Sequence, residues 1–181
     1  MASPVNQVGS NRVLDRNGPI TDGWERLADD ETVKPGAAVL VSFQRLKNEH
    51  NALFAEAAAV GVEVGGDVNL DELEPFLPRL GLIVVRFAFM RDGRPFSVGR
   101  LLRERFHYTR DLRAVGDFIP DQILFLLRCG FNSFEAGPDF SVDALKHGVA
   151  AYTVWYQRGV ERNVTIAERR LGKENLGQES A

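Results

Sequence analysis

Two stretches of the chain gather the residue types that grip small anions. The first, RFAFMRDGRPFSVGRLLRERF (86–106), puts Arg86 near the end of an apolar run and Asp92-Gly93 in a turn. Arg94 then stands just ahead of a helical pattern, with Ser97 where a helix N-cap belongs. Guanidinium groups offer planar donor forks to phosphate, sulfate or carboxylate, and the free N–H groups of a helix start add to them. The second stretch, LRAVGDFIPDQILFLLRCGFNSFE (112–135), puts Asp117 after the next apolar run and Asp121 and Gln122 in the first turn of a helix. Arg86, Arg94, Ser97 and Asp117 therefore form a candidate anion site, Asp117 orienting one arginine, with Glu135 the further acid in reach of the same rim. Each has a plainer reading: Ser97 caps, Arg94 is solvated, Arg86 pairs with a neighbouring acid, and the two aspartates favour a helix dipole. No catalytic residue is marked.

Other chemistries find little support. Cys129 precedes Gly130, which ends a helix, and a helix C-terminus disfavours a reactive thiolate. His50, His107 and His147 lack metal-ligand spacing, and no G-x-G-x-x-G, P-loop or C-x-x-C occurs, so neither a metal nor a particular cofactor is indicated. A formal net charge of −3 gives no general attraction to nucleic acid or an anionic membrane. No apolar run approaches the roughly 20 residues of a membrane helix, and the first residues show no export signal. The expectation is a cytoplasmic protein without nucleic-acid or membrane partners.

The elements that must position these residues follow from periodicity. Apolar runs at 38–43, 60–64, 80–87, 112–116 and 133–136 are expected strands, several continuous enough to be buried on both faces. Between them, apolar residues recur at helical spacing over 45–59, 70–80, 98–106 and 121–131; in the last, Ile123, Leu124, Leu127 and Phe131 share a side. Strands alternating with helices predict a single α/β domain of about five mainly parallel strands over 12–157. Two closures are open, a flavodoxin-like sheet and a TIM-like half-barrel. Asn17-Gly18 is a turn signal, and Val13-Leu14 and Trp24 to Leu27 are expected arms of a hairpin or flap within 12–34. Residues 1–11 are expected to be flexible. Residues 142–157 should begin as a helix that packs Leu145, Val149, Tyr152 and Trp155 on the sheet, followed by a charged, partly disordered tail over 158–181. In parallel α/β sheets ligands sit beyond the carboxyl ends of the strands, where the anion candidates fall.

DGRPFSVGRLLRERFHY (92–108) and LRAVGDFIPDQILFLLRCGFNSFE resemble a bacterial family of unknown function labelled as an oxidoreductase of sulfite reduction, with weaker likeness at WERLADDE (24–31) and AYTVWYQ (151–157). Family-typical positions include Asp92, Gly93, Arg94, Ser97, Arg103, Gly116, Asp117, Gln122 and Gly130. Ala88-Phe89 stand where members often carry Pro-Lys. Members are typically encoded beside assimilatory sulfite reductase. The resemblance thus implies a role in sulfur assimilation, with that reductase as partner and a small anionic ligand. Sulfite reduction moves six electrons and demands a cofactor such as sirohaem with an iron–sulfur cluster. One cysteine and three scattered histidines do not suit that machinery, so the implied role is an accessory or oxidoreductase component. The alternative is a stand-alone metabolic enzyme on a barrel-like α/β scaffold, acting on a phosphorylated or carboxylated small molecule. The sequence leaves the oligomeric state open.

Overall fold

Continuous runs of branched aliphatic residues pack best between two covered faces, and all five expected strands form. The computed structural model describes residues 12–137, 140–151, 156–160 and 165–170. Its elements are β1 (Arg12–Asp15), β2 (Gly18–Pro19), β3 (Trp24–Arg26), β4 (Ala38–Ser42), α1 (Phe43–Glu56), β5 (Ala59–Gly65) and α2 (Leu70–Leu73). They continue with β6 (Leu80–Phe87), α3 (Arg94–Glu104), β7 (Asp111–Gly116), α4 (Ile123–Arg128), β8 (Ser133–Ala136), α5 (Val142–Ala151) and α6 (Ile166–Arg170). The expected flexible segment 1–11, the tail end 171–181 and the packing of Tyr152 and Trp155 lie outside the described residues.

All the strands join one sheet in the order β2-β1-β8-β7-β6-β5-β4-β3. From β3 to β8 each strand lies parallel to the one before it, whereas β1 runs antiparallel to both β8 and β2. The sheet therefore has eight strands, six of them parallel, rather than about five. Strictly sequential order has no reversal point, so the flavodoxin-like alternative fails. Successive right-handed crossovers in one direction put their helices on one face, and the sheet curls away from them as a half-barrel.

The hairpin expected between Val13-Leu14 and Trp24 to Leu27 does not form. Asn17-Gly18 folds β1 back onto β2 alone, Gly18 taking φ +132°, and β3 goes to the opposite edge. There the Trp24 indole lies over Gly61 and Gly81, where a Cβ would come within 3.2 and 3.0 Å of it. Missing side chains on β5 and β6 thus make room for a large one from β3. This placement fixes the curl. Pro19 and Trp24 are five residues apart, a reach of at most about 18 Å, yet β2 and β3 are the two edges of an eight-stranded sheet that would span roughly 34 Å if flat. Only a strongly curved sheet permits the link.

The main core lies on the convex face, where Val39, Val41, Val62, Leu80, Ile83, Val85, Leu112 and Phe134 meet Leu46, Leu53, Leu102 and Leu126 from the helices. A smaller cluster of Leu40, Leu82, Val84 and Val115 under Trp24 lines the concave face. Leu145 of α5 is buried and Val149 packs partly against the core, as expected. α4 buries Ile123 and Leu127, and Phe131 beyond it, as expected, but Leu126 is buried as well and Leu124 only half-buried. Phe131, beyond the helix end, packs back toward α3, where Gly99 leaves its space. Between α3 and β7, Tyr108 is buried and its hydroxyl donates toward the carbonyls of Leu80 and Asp111 at 3.3 and 3.2 Å.

Two measurements test this packing. Leu126→Ala is expected to cost roughly 2–5 kcal/mol in denaturant unfolding, within the usual range for a buried leucine, and Leu124→Ala less; the reverse order would mean that the buried face is drawn wrongly. Burial raises the Tyr108 phenol above its ordinary value, outweighing the nearby Arg103 charge. With the folded value above the unfolded one, the stability this group contributes is complete below about pH 10 and lost as pH rises beyond it. The wild-type melting temperature should thus fall more steeply above about pH 10 than that of Tyr108→Phe. Parallel curves would remove Tyr108 from the alkaline transition.

Candidate functional site

Alternation along each strand sends every second side chain to the concave face. On β5 these are Gly61, Glu63 and Gly65; on β6, Leu82, Val84 and Arg86; on β7, Arg113 and Val115; on β8, Ser133 and Glu135. The parallel register sets Ser42 beside Glu63, Gly65 beside Arg86, and Arg113 beside Ser133. Apolar residues hold the amino-terminal end under Trp24, and charge accumulates toward the carboxyl ends.

The charged groups form one chain across the concavity. Arg86 Nε and Arg26 Nη1 both donate to the Glu63 carboxylate. Arg26 Nη2 reaches Glu135 at 2.5 Å, and Glu135 lies 3.7 Å from Arg113. Arg113, 2% exposed, also lies 3.1 Å from Asp22 and 3.6 Å from Asp111. Ser133 donates to Asp111 at 2.8 Å and accepts from Arg113 Nε at 3.4 Å. Arg26 thus joins strands from opposite halves of the sheet. Burial opposes its charge, but Glu63 and Glu135 outweigh that and raise its pKa above the ordinary arginine value.

Above this chain a cleft of about 450 Å³ opens at the carboxyl ends of β3 to β6. Its charged walls are Arg26, Glu63, Asp67, Arg86, Asp92 and Arg94, and Leu27, Leu40, Val64 and Ala88 supply apolar surface. Arg94 Nη2 grips Asp92 at 2.8 Å, while Asp92 Oδ1 accepts the Arg94 backbone N–H at 3.0 Å. Those bonds hold the Asp92 carboxyl below its usual range and Arg94 above its own. α3 starts at Arg94, so Asp92, not Ser97, supplies the capping oxygen. The start lies four residues before the one that Ser97 as N-cap would give, and Pro95 in the first helical turn is the sequence signal that marks it.

The five expected site residues part company. Arg86 and Arg94 line the cleft together. Glu135 is 10% exposed and sits one link deeper, behind Arg26. Ser97 is exposed on α3 and lines a separate depression with Arg100, Arg128 and Cys129. Asp117 accepts the Met90 N–H at 3.1 Å, and Gln122 joins the same loop by donating to the Met90 carbonyl at 3.4 Å. The polar knot after β7 thus fastens the loop that carries Phe89 and Met90, both exposed. Gly116 permits it, since at φ +106° its Cβ would fall 2.3 Å from the Phe87 carbonyl oxygen.

Sequence reasoning missed Arg26, Glu63, Asp67, Asp92 and Arg113. The available signal was a charge within an apolar strand, as in VGVEV and LRAVG. Other family-typical groups are structural. Arg103 donates to the carbonyls of Gly130, Tyr108 and Arg110. Cys129 is buried, and burial raises its thiol pKa above the usual range, with Arg100 and Arg128 opposing. Among the described residues, no group of His, Cys, Asp and Glu is arranged to hold a metal ion, and no helix is long and apolar enough to cross a membrane.

Fold and site together define a half-barrel α/β protein with a charged, small-molecule-sized cleft at the carboxyl ends of its parallel strands. The chain belongs to a family of bacterial proteins of unknown function (DUF934), whose model matches residues 61–166. The match takes in Glu63, Asp67, Arg86, Asp92 and Arg94. No curated protein and no solved structure matches the chain.

Removing one member of a buried ionic chain leaves its partners uncompensated. Arg113→Met is therefore expected to cost roughly 3 kcal/mol in denaturant unfolding. A change below about 1 kcal/mol, the usual worth of a surface pair, would show that Asp22, Asp111 and Glu135 are solvated well enough without it.

Proposed function

We propose that the protein is an accessory component of assimilatory sulfite reduction that holds a small anion in the cleft above Glu63 and works beside the reductase. The observation that supports this best is the guanidinium of Arg86. Glu63 engages only its Nε, fixing the plane of the group, and the Nη edge forms no hydrogen bond among the described residues. A fixed, half-exposed fork at the carboxyl end of a parallel strand suits a two-oxygen contact with an anion. The pathway comes from the resemblance of residues 92–135 to the sulfite-reduction family.

The second reading, a stand-alone enzyme acting on a phosphorylated or carboxylated metabolite, draws on the same cleft. It is favoured by the position of Glu63, whose carboxylate stands between two arginines where half-barrel and barrel enzymes hold their substrates.

Two arms test the first reading. Sulfite, sulfate or phosphate should raise the melting temperature of the wild-type protein, and Arg86→Ala should lose most of that rise. Deletion in the native host should slow growth on sulfate or sulfite, with cysteine restoring it. An anion response with normal growth on sulfate would move the weight to the metabolite enzyme. Equal responses from wild type and Arg86→Ala would place the anion elsewhere.

A further inference from the structure

The cleft is not simply cationic. Arg26, Arg86 and Arg94 line it, and so do Glu63, Asp67 and Asp92. A bare oxyanion gains the arginines but also meets the three carboxylates of the same walls, and like charges brought together in a concave site repel. A ligand carrying both charges meets a complement on either side.

Two groups are left to receive such a ligand. One is the Nη edge of Arg86. The other is the carboxylate of Asp67, which feels the Arg94 charge across the cleft but forms no hydrogen bond or close ion pair among the described residues. Their placement follows from the register. Gly65 lies beside Arg86 in the parallel ladder and shares the concave face with Glu63. A Cβ on Gly65 would come within 2.6 Å of Asp67 Oδ1, so the carboxylate folds back into the place of the missing side chain. It therefore stands about one strand spacing, roughly 4.8 Å, from the strand that carries Arg86. The two groups line one cleft from neighbouring strands without a direct bond between them, and so frame a gap with a donor fork on one side and an acceptor on the other.

The geometry points to a small zwitterion of the α-amino acid class as the ligand of this cleft. Its carboxylate meets the Arg86 Nη edge, its ammonium meets Asp67, and its side chain lies along Leu27, Leu40 and Ala88. A volume of about 450 Å³ is in the lower part of the range for small-molecule sites. This inference rests on the reading that the cleft is the ligand site, and it narrows the ligand from any anion to one bearing an amine.

The test uses the full chain. The common L-amino acids are screened singly by thermal shift beside sulfite, sulfate and phosphate. The strongest amino acid is then compared by calorimetry with its des-amino acid and its decarboxylated amine. At least one amino acid should bind, with each half-ligand at least tenfold weaker. Asp67→Asn, at an exposed position, should weaken the amino acid at least tenfold without weakening the des-amino acid. Arg86→Met should weaken both. If sulfite, sulfate, phosphate or the des-amino acid binds as tightly as any amino acid, or Asp67→Asn changes nothing, the zwitterion assignment falls while the anion cleft stands. If no probe of either class binds, both fall.

Discussion

A guanidinium withdrawn from water must be met by hydrogen-bond acceptors or opposite charge, and Arg113 on β7 is withdrawn almost completely. Its counter-charges come from three separate parts of the chain: Asp22 in the link between β2 and β3, Asp111 on its own strand, and Glu135 on β8. Asp22 can reach Arg113 only if the sheet curls until its edges approach. Glu135 in turn holds Arg26 from β3, and Arg26 and Arg86 share Glu63. The curl that brings strands from opposite halves of the sheet together is thus bound to the neutralisation of one buried charge. The apolar cluster under Trp24 fills the other end of the same concavity.

This arrangement divides the half-barrel by function. The amino-terminal end is closed by an indole seated over two glycines, and the helix-covered face carries the main core. The carboxyl end is left with groups that neither need supplies. Glu63 is shared by two arginines and fixes both, so Arg86 is held in place while one edge of it stays open. Around the cleft the loops are tied down as well. Asp92 caps α3, and Asp117 and Gln122 fasten the Phe89–Met90 turn, so the walls are positioned before any ligand arrives.

The same division explains why charged residues of similar appearance differ in role. Arg103 serves three carbonyls, Arg45 is buried against the carbonyls of Ala28 and Glu31, and Arg113 closes the sheet. Arg86 and Arg94 stand at the rim. The local sequence separates only Arg113, which lies within an apolar run. What separates the others is which strand face or helix side they occupy, and how far along the strand.

By itself the sequence determined the alternation of strands and helices, because that depends on local period: continuous aliphatic runs at 38–43, 80–87 and 112–116, and helical spacing between them. It also placed Arg86 and Arg94 at one end of the sheet, since Arg86 is near the end of a strand and Arg94 starts the helix after it, and the family resemblance lay in contiguous residues. It did not determine where β3 goes. Three residues of strand carry little periodicity, and their place depends on Gly61 and Gly81 making room for Trp24. Nor did it determine the partners of the rim arginines. Glu63 reaches Arg86, and Asp22 reaches the buried Arg113, through register and curl, which are properties of the closed sheet. The tertiary structure alone decided that Asp117 fastens a loop, that Ser97 faces another surface, and that the cleft holds as many carboxylates as guanidinium groups.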